Sequence, residues 1–220
     1  MIIIMLGAPG TGKGTVAEVL SQNLDIKQVS TGDIFRKAIK EGTELGLKAE
    51  EYMSRGDLVP DEITIKIVED RLKKEDVAKG AILDGFPRTV AQAEELERFL
   101  DEHGRKVDYA INLFTPEEEL IERVVNRRIC SNPSCRTIYN IKLSPPKVEG
   151  VCDKCGGKVI QREDDNVETV KNRLETYKNT ADPIIDFYES RGLLYTAEVS
   201  QTINKMGKDV AVDFINSLEK

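Results

Sequence analysis

Tryptophan is absent from this 220-residue chain, and histidine occurs once, as His103. Catalysis built on an imidazole would rest on that one residue. It lies in Asp101-Glu102-His103-Gly104 at the end of a helical stretch and reads as surface structure. No apolar run approaches the roughly 20 residues of a membrane span. The N-terminal run Met1-Ile2-Ile3-Ile4-Met5-Leu6 is short, has no basic flank and leads straight into a glycine loop. It reads as a buried strand rather than a secretion signal. Positive charge is not in excess: 32 basic against 39 acidic residues leave −7. That argues against general nucleic-acid binding and gives no sign of a membrane partner. Repeats and low-complexity tracts are missing. The expectation is a cytoplasmic protein in a reducing compartment, long enough for one substantial core and an inserted subdomain.

Helical and strand patterns alternate through most of what remains. Ile63, Ile67, Val68 and Leu72 share a helix face, and Ala81-Ile82-Leu83 is a short apolar strand. Ala93, Leu96, Phe99 and Leu100 form another helical stripe, and residues 107–114 read as a strand. Thr115-Pro116-Glu117-Glu118 has the form of a capping box, with Thr115 as N-cap and Glu118 reaching back. Leu120, Ile121, Val124 and Val125 continue that helix. A long helix after residue 164, broken near Pro183, a strand over 193–199 and a last helix with Ala211, Phe214, Ile215 and Leu218 complete the pattern. Strands separated by helices imply an α/β fold: a central parallel sheet flanked by helices on both faces, three layers in all. Ligands of such sheets sit beyond the strand C-terminal ends. Two stretches break the alternation. Residues 30–59 are helical and charged, and 129–162 hold Pro145-Pro146, short β-like runs and every cysteine. The division expected is a core of 1–29, 60–128 and 163–220 with those two inserts.

Gly7-Ala8-Pro9-Gly10-Thr11-Gly12-Lys13-Gly14-Thr15 joins the first strand to a helix in which Val16, Val19, Leu20 and Leu24 recur. A glycine loop in that position can wrap a polyphosphate in backbone N–H groups, with the helix N-terminus adding partial positive charge. Lys13 would reach the terminal phosphates as a mobile point charge. Gly14 stands where a magnesium-binding hydroxyl is usual, and Thr15 follows one position later. Without the strand and helix around it, the loop would be a plain glycine turn.

Cys130, Cys135, Cys152 and Cys155 form C-x4-C, sixteen residues, C-x2-C. Two knuckles holding four thiolates suit tetrahedral zinc, and four ligands leave no open position for a reacting water. Two disulfides are the alternative, disfavoured in a reducing compartment. Paired-cysteine ribbons also bind nucleic acid, and this one carries Arg136, Lys142, Lys147, Lys154 and Lys158, but in an acidic chain.

Phosphoryl transfer needs positive charge on the equatorial oxygens and exclusion of water more than it needs an acid or base. Arg36, Arg88, Arg123, Arg127, Arg162 and Arg173 stand at loop and helix edges, with Arg123 and Arg127 at i and i+4, a spacing that projects both from one helix face. Each alone is an ordinary solvated residue. Asp84, in Asp84-Gly85-Phe86-Pro87-Arg88, ends a strand where phosphates would sit. It suits either magnesium held through waters or a turn cap.

Together these motifs, with Ser30-Thr31-Gly32-Asp33, Leu58-Val59-Pro60-Asp61-Glu62, Gln92 and Gln161-Arg162-Glu163-Asp164-Asp165, resemble adenylate kinase end to end, in its long-lid bacterial form with a zinc-binding lid. The resemblance implies ATP + AMP ⇌ 2 ADP with Mg2+, a structural Zn2+, a helical AMP-binding insert at 30–59 and a zinc lid at 129–162. It implies that Gly10, Thr11, Gly12, Lys13, Gly14 and Thr15 wrap the ATP phosphates and that Ile138 and Tyr139 lie against ATP. A backbone contact to its adenine would fall near Thr202. AMP would be held by Thr31, Arg36, Asp57, Leu58, Val59, Gly85, Phe86, Pro87, Arg88 and Gln92, with Arg162 and Arg173. Arg88, Arg123, Arg127, Arg162 and Arg173 would close on the transferring group, and Asp33 and Asp84 would organise hydrated magnesium. Members usually carry C-x2-C in the first knuckle; here it is C-x4-C. A GTP:AMP phosphotransferase or another nucleoside monophosphate kinase is the near alternative. A nucleotide-gated binding protein with a zinc ribbon for a partner is the distant one. Two moving lids fit a monomer.

Overall fold

Five β-branched or aliphatic residues in a row, Ile2–Leu6, leave no polar face, and the computed structural model buries all of them as the central strand β1. The structure describes residues 1–199 and 203–218, without the side chains of 203–206. Helix α1 (Lys13–Leu24) follows β1, then β2 (Lys27–Ser30), α2 (Thr31–Lys40), α3 (Glu44–Met53) and α4 (Asp61–Leu72). Next come β3 (Ala81–Asp84), α5 (Val90–Glu102), β4 (Tyr109–Phe114) and α6 (Glu117–Val125). Then the chain forms β5 (Arg127–Cys130), β6 (Ile138–Asn140), β7 (Val159–Ile160), α7 (Val167–Glu189), β8 (Leu194–Glu198) and α8 (Ile203–Leu218).

The large sheet runs β2-β3-β1-β4-β8 with every pair parallel. Alternate residues of β1 serve opposite faces, as strand periodicity requires. Ile2, Ile4 and Leu6 pack with Val68, Leu96, Phe99, Phe187 and Tyr188 from α4, α5 and α7. Ile3 and Met5 pack with Val16, Leu20, Ala211 and Phe214 from α1 and α8. Met5 pairs with Asp84, which pairs with Ser30, so three strands end flush at one edge. A second, antiparallel sheet, β6-β5-β7, belongs to the cysteine-bearing stretch.

Three expectations are corrected. Arg123 and Arg127 do not share a helix face, because α6 ends at Val125 and Arg127 opens β5. Helix α7 is not broken at Pro183 but runs through it. Pro183 and Asn179 are exposed, on the side of the helix open to solvent, where a carbonyl left without a donor costs least. Ala181, Ile184, Phe187 and Tyr188 are buried on the other side, and that packing outweighs the roughly 3 kcal/mol that proline costs a helix interior. Thr115 does not cap α6, whose N-terminus has no side-chain cap. Its buried hydroxyl donates to the Val199 carbonyl at 2.6 Å and accepts from Arg123. Buried polar atoms demand partners, whereas N–H groups at an exposed helix end have water. Strand β2 was not anticipated: only Val29 of its four residues is buried, so no apolar pattern announces it.

Candidate nucleotide site

The flush strand ends open into a cavity of about 1700 Å³. That exceeds the roughly 300–1000 Å³ typical of one small-molecule site, so there is room for two ligands. The glycine loop forms one wall. Gly7 has φ 129°, and a Cβ there would sit 2.4 Å from the Leu113 carbonyl oxygen, so only glycine lets the loop lie against β4. Gly12, at φ 93°, is the N-cap of α1; no side chain caps the helix and no acid stands in its first turn. Those N–H groups are left for an anion. A Cβ at Gly14 would lie 2.9 Å from Ile138 Cδ1 of β6, the movable end of a side chain resting on the loop, so the contact favours glycine without requiring it.

Lys13 turns back on its own loop, donating to Gly7 O at 2.7 Å and Ala8 O at 2.9 Å. Burial of the ammonium, which the nearby Asp84 carboxylate only partly offsets, lowers its pKa to about 8. Burial also pulls Arg88 down to about 10, with repulsion from Arg173 adding to it. Arg162 falls to about 9 through burial, then Arg36 and Arg127. The cations crowd one another and share three acids. Arg36 and Arg162 hold Asp33 at 2.7 and 3.2 Å, Arg36 holds Asp164 at 3.2 Å, and Arg173 also binds Asp164. Arg127 forks onto the fully buried Asp165, its Nε 2.9 Å from Oδ2. Burial would raise the pKa of Asp164, but Arg36 and Arg173 bring it down to about 2. Among the described residues, the buried Nε atoms of Arg36, Arg136 and Arg162 find no acceptor. A site with orphaned cationic donors and a bare helix N-terminus has the chemistry to take a multiply charged anion.

The cavity gathers Gly10, Gly12, Lys13, Gly14, Thr15, Thr31, Asp33, Arg36, Asp57, Leu58, Val59, Asp84, Gly85, Pro87, Arg88, Gln92, Arg123, Arg127, Ile138, Tyr139, Arg162 and Arg173 along its wall. Thr11 and Phe86 are not among the lining residues. Thr11 is buried with its hydroxyl on Ala8 O, and Phe86 packs in the core. Arg123 is wholly buried and committed to Thr115, Val199 O and Glu119. Tyr139 gives its hydroxyl to Cys152 Sγ at 3.4 Å and accepts from Asp153 N. Thr202 lies outside the described residues.

Gln92 is buried, accepting from Arg88 N and donating to Asp61 Oδ1, each at 2.7 Å. One amide N–H and one oxygen lone pair remain, an adjacent donor–acceptor pair suited to a purine edge. Asp61, which orients that amide, stands in a motif of the sequence without a role there, as do Asp164 and Asp165, while Arg136 stands out only as a basic residue of the cysteine ribbon. Their signal is tertiary pairing, invisible in spacing. His103 is exposed at the end of α5, with Nδ1 2.7 Å from Phe99 O.

The four cysteine Sγ atoms lie within 4.8 Å of one another and could hold one metal ion. All four are free thiols, with Cys130–Cys155 at 3.4 Å and Cys135–Cys152 at 3.7 Å. An all-sulfur donor set of four fits a soft, tetrahedral ion. Among the described residues, no helix is long and apolar enough to cross a membrane.

A parallel sheet whose first strand feeds a glycine loop and a bare helix N-terminus, faced by ringed arginines, defines a P-loop nucleotide-binding protein. The family model "Adenylate kinase" matches residues 5–193. The chain is 53% identical over 210 residues to the adenylate kinase of Caldicellulosiruptor bescii, covering 96% of this chain and 97% of the relative. It is 50% identical to that of Oceanobacillus iheyensis over 96% and 97%, and 51% identical to that of Staphylococcus aureus over 99% and 100%. The chain belongs to the adenylate kinase family. It is an enzyme of the nucleoside monophosphate kinase class, a phosphotransferase acting between ATP and AMP to give two ADP.

Proposed function

We propose that the transfer is magnesium-dependent and takes place in the cavity closed by two lids, residues 30–59 on the AMP side and 129–162 on the ATP side. The observation that carries this reading is one cavity, large enough for two nucleotides, with Lys13 on one wall and the Arg36, Arg88, Arg162 and Arg173 set around it. The loop amides and Lys13 take the ATP phosphates. Arg36 and Arg88 fork onto the AMP phosphate, while Thr31, residues 57–59 and Gln92 seat its base. Arg127, Arg162 and Arg173 exchange their carboxylate partners for oxygens of the transferring group as charge spreads over it. Closure excludes water and so favours transfer to AMP over hydrolysis. Asp33, in the first turn of α2 just past β2, and Asp84, at the end of the neighbouring β3, are hard oxygen donors that would hold hydrated magnesium, which neutralises phosphate charge when bound. Zinc on the four cysteines would supply the lid with the core it lacks. ATP is the proposed donor, with the enzyme a monomer in the cytoplasm.

A coupled assay of ADP formation from ATP with and without AMP tests this. Strong AMP dependence is expected. Slow hydrolysis insensitive to AMP would instead mark a nucleotide-gated binding protein. Replacing ATP by GTP in the same assay separates the donor bases.

A further inference from the structure

Arg136 has no part in the reaction described so far. It follows Cys135 in the first cysteine knuckle and is left-handed, at φ 49°. Among the described residues the only other non-glycine there is Asp25, which ends α1 at the surface. Aspartate tolerates that conformation; arginine does so only under strain, which glycine would relieve. Such strain persists where the surroundings hold it, and it clusters at working sites. Here both ends of the residue are held. Its backbone N–H donates to Asn132 O at 3.1 Å beside the converging thiols. Its guanidinium leaves the knuckle and meets Asp33 Oδ1 at 2.8 Å on α2, far away in sequence. The same oxygen takes Arg36 and Arg162, and the buried Arg136 Nε finds no acceptor among the described residues. The second knuckle repeats the device on a smaller scale: Lys154, between Cys152 and Cys155, meets Glu18 of α1 at 3.0 Å.

The geometry points to Arg136 as a further positioning residue for the transfer. The cysteine knuckle aims it. Through Asp33 it ties the 129–162 segment to α2 and orders Arg36 and Arg162 around the phosphate space. The catalytic part of this inference rests on the phosphotransferase reading; the docking part does not.

The test uses the full chain with its metal content measured, comparing Arg136→Gln, Arg136→Lys and Arg136→Gly. Arg136→Gln is expected to raise the KM for ATP roughly tenfold and the KM for AMP, through Arg36, roughly threefold, with Arg136→Lys recovering part of both losses. In the nucleotide-free protein, backbone amides of residues 138–140 should exchange roughly tenfold faster in Arg136→Gln. Arg136→Gly relieves the strain and keeps the metal, yet should exchange as fast as the glutamine variant. In an Asp33→Asn background, Arg136→Gln should add nothing further. Parent-like exchange in Arg136→Gln or Arg136→Gly, or an equal added acceleration on Asp33→Asn, would overturn the proposal. A parent enzyme that makes no ADP from ATP and AMP defeats the functional reading instead, and the exchange measurements still decide Arg136.

Discussion

Among the described residues Lys13 hydrogen-bonds only to the carbonyls of Gly7 and Ala8, and burial, partly offset by Asp84, brings its pKa from 10.5 to about 8. Below pH 8 the amine is charged whether the chain is folded or not, so the folded state bears the whole penalty. The penalty fades as pH rises from 8 to 10.5. Lys13→Met should therefore raise the melting temperature of the nucleotide-free protein at pH 7, by an amount that shrinks towards pH 10. The same change should cut phosphoryl transfer by about 10²-fold or more. A variant that melts lower at pH 7, or turns over normally, contradicts that account. Asp164 has the opposite sign. Its carboxylate is held at about 2 against burial by Arg36 and Arg173. It contributes stability above its ordinary value near 3.8, and the contribution is lost as pH falls through 2. Asp164→Asn should lower stability at pH 7 by roughly 2 kcal/mol, with the two proteins converging near pH 2 in acid titrations followed by circular dichroism. Neither effect was legible in the sequence. The glycine loop announced a phosphate site through local spacing, but the acids that neutralise its arginines come from elsewhere in the chain.

At the scale of elements, the insert of α2 and α3 is packed through one glycine. A Cβ at Gly46 would lie 2.1 Å from the Ala38 carbonyl oxygen, where backbone cannot yield cheaply. Gly46→Ala should push the two helices apart and destabilise the insert by about 1–3 kcal/mol. In steady-state kinetics the KM for AMP should then rise more than that for ATP; equal changes would count against separate nucleotide sides. Elements with a continuous apolar code were legible: Ile2–Leu6 because it is buried on both faces, and α5 because Ala93, Leu96, Phe99 and Leu100 form one buried stripe. Where burial is sparse, as in β2, the code is too short to read. Where a local rule competes with a buried partner, as at Thr115, the buried partner wins. Arg136 was visible only as one basic residue in a ribbon, because its reach depends on a left-handed turn and a distant acid.

For the molecule as a whole, two unequal cores imply two kinds of unfolding. The large sheet is packed on both faces, whereas the small sheet has only Cys130, Tyr139, Cys152 and Val159 as its buried cluster. Chelation should melt the 129–162 segment and leave the main calorimetric transition within a few degrees. AMP-dependent ADP formation should collapse, with residual turnover shifting towards ATP hydrolysis as water enters. A single unchanged transition with full activity after metal removal would refute this. The pairing of Cys130 with Val159 across β5 and β7 carries a further consequence. The chain leaves for its cysteine excursion and comes back at neighbouring points, about one strand spacing apart. A short turn joining those two residues would leave the covalent path of the large sheet uninterrupted. The excursion is thus closed on itself, so its length and contents can change without redrawing the scaffold beneath it.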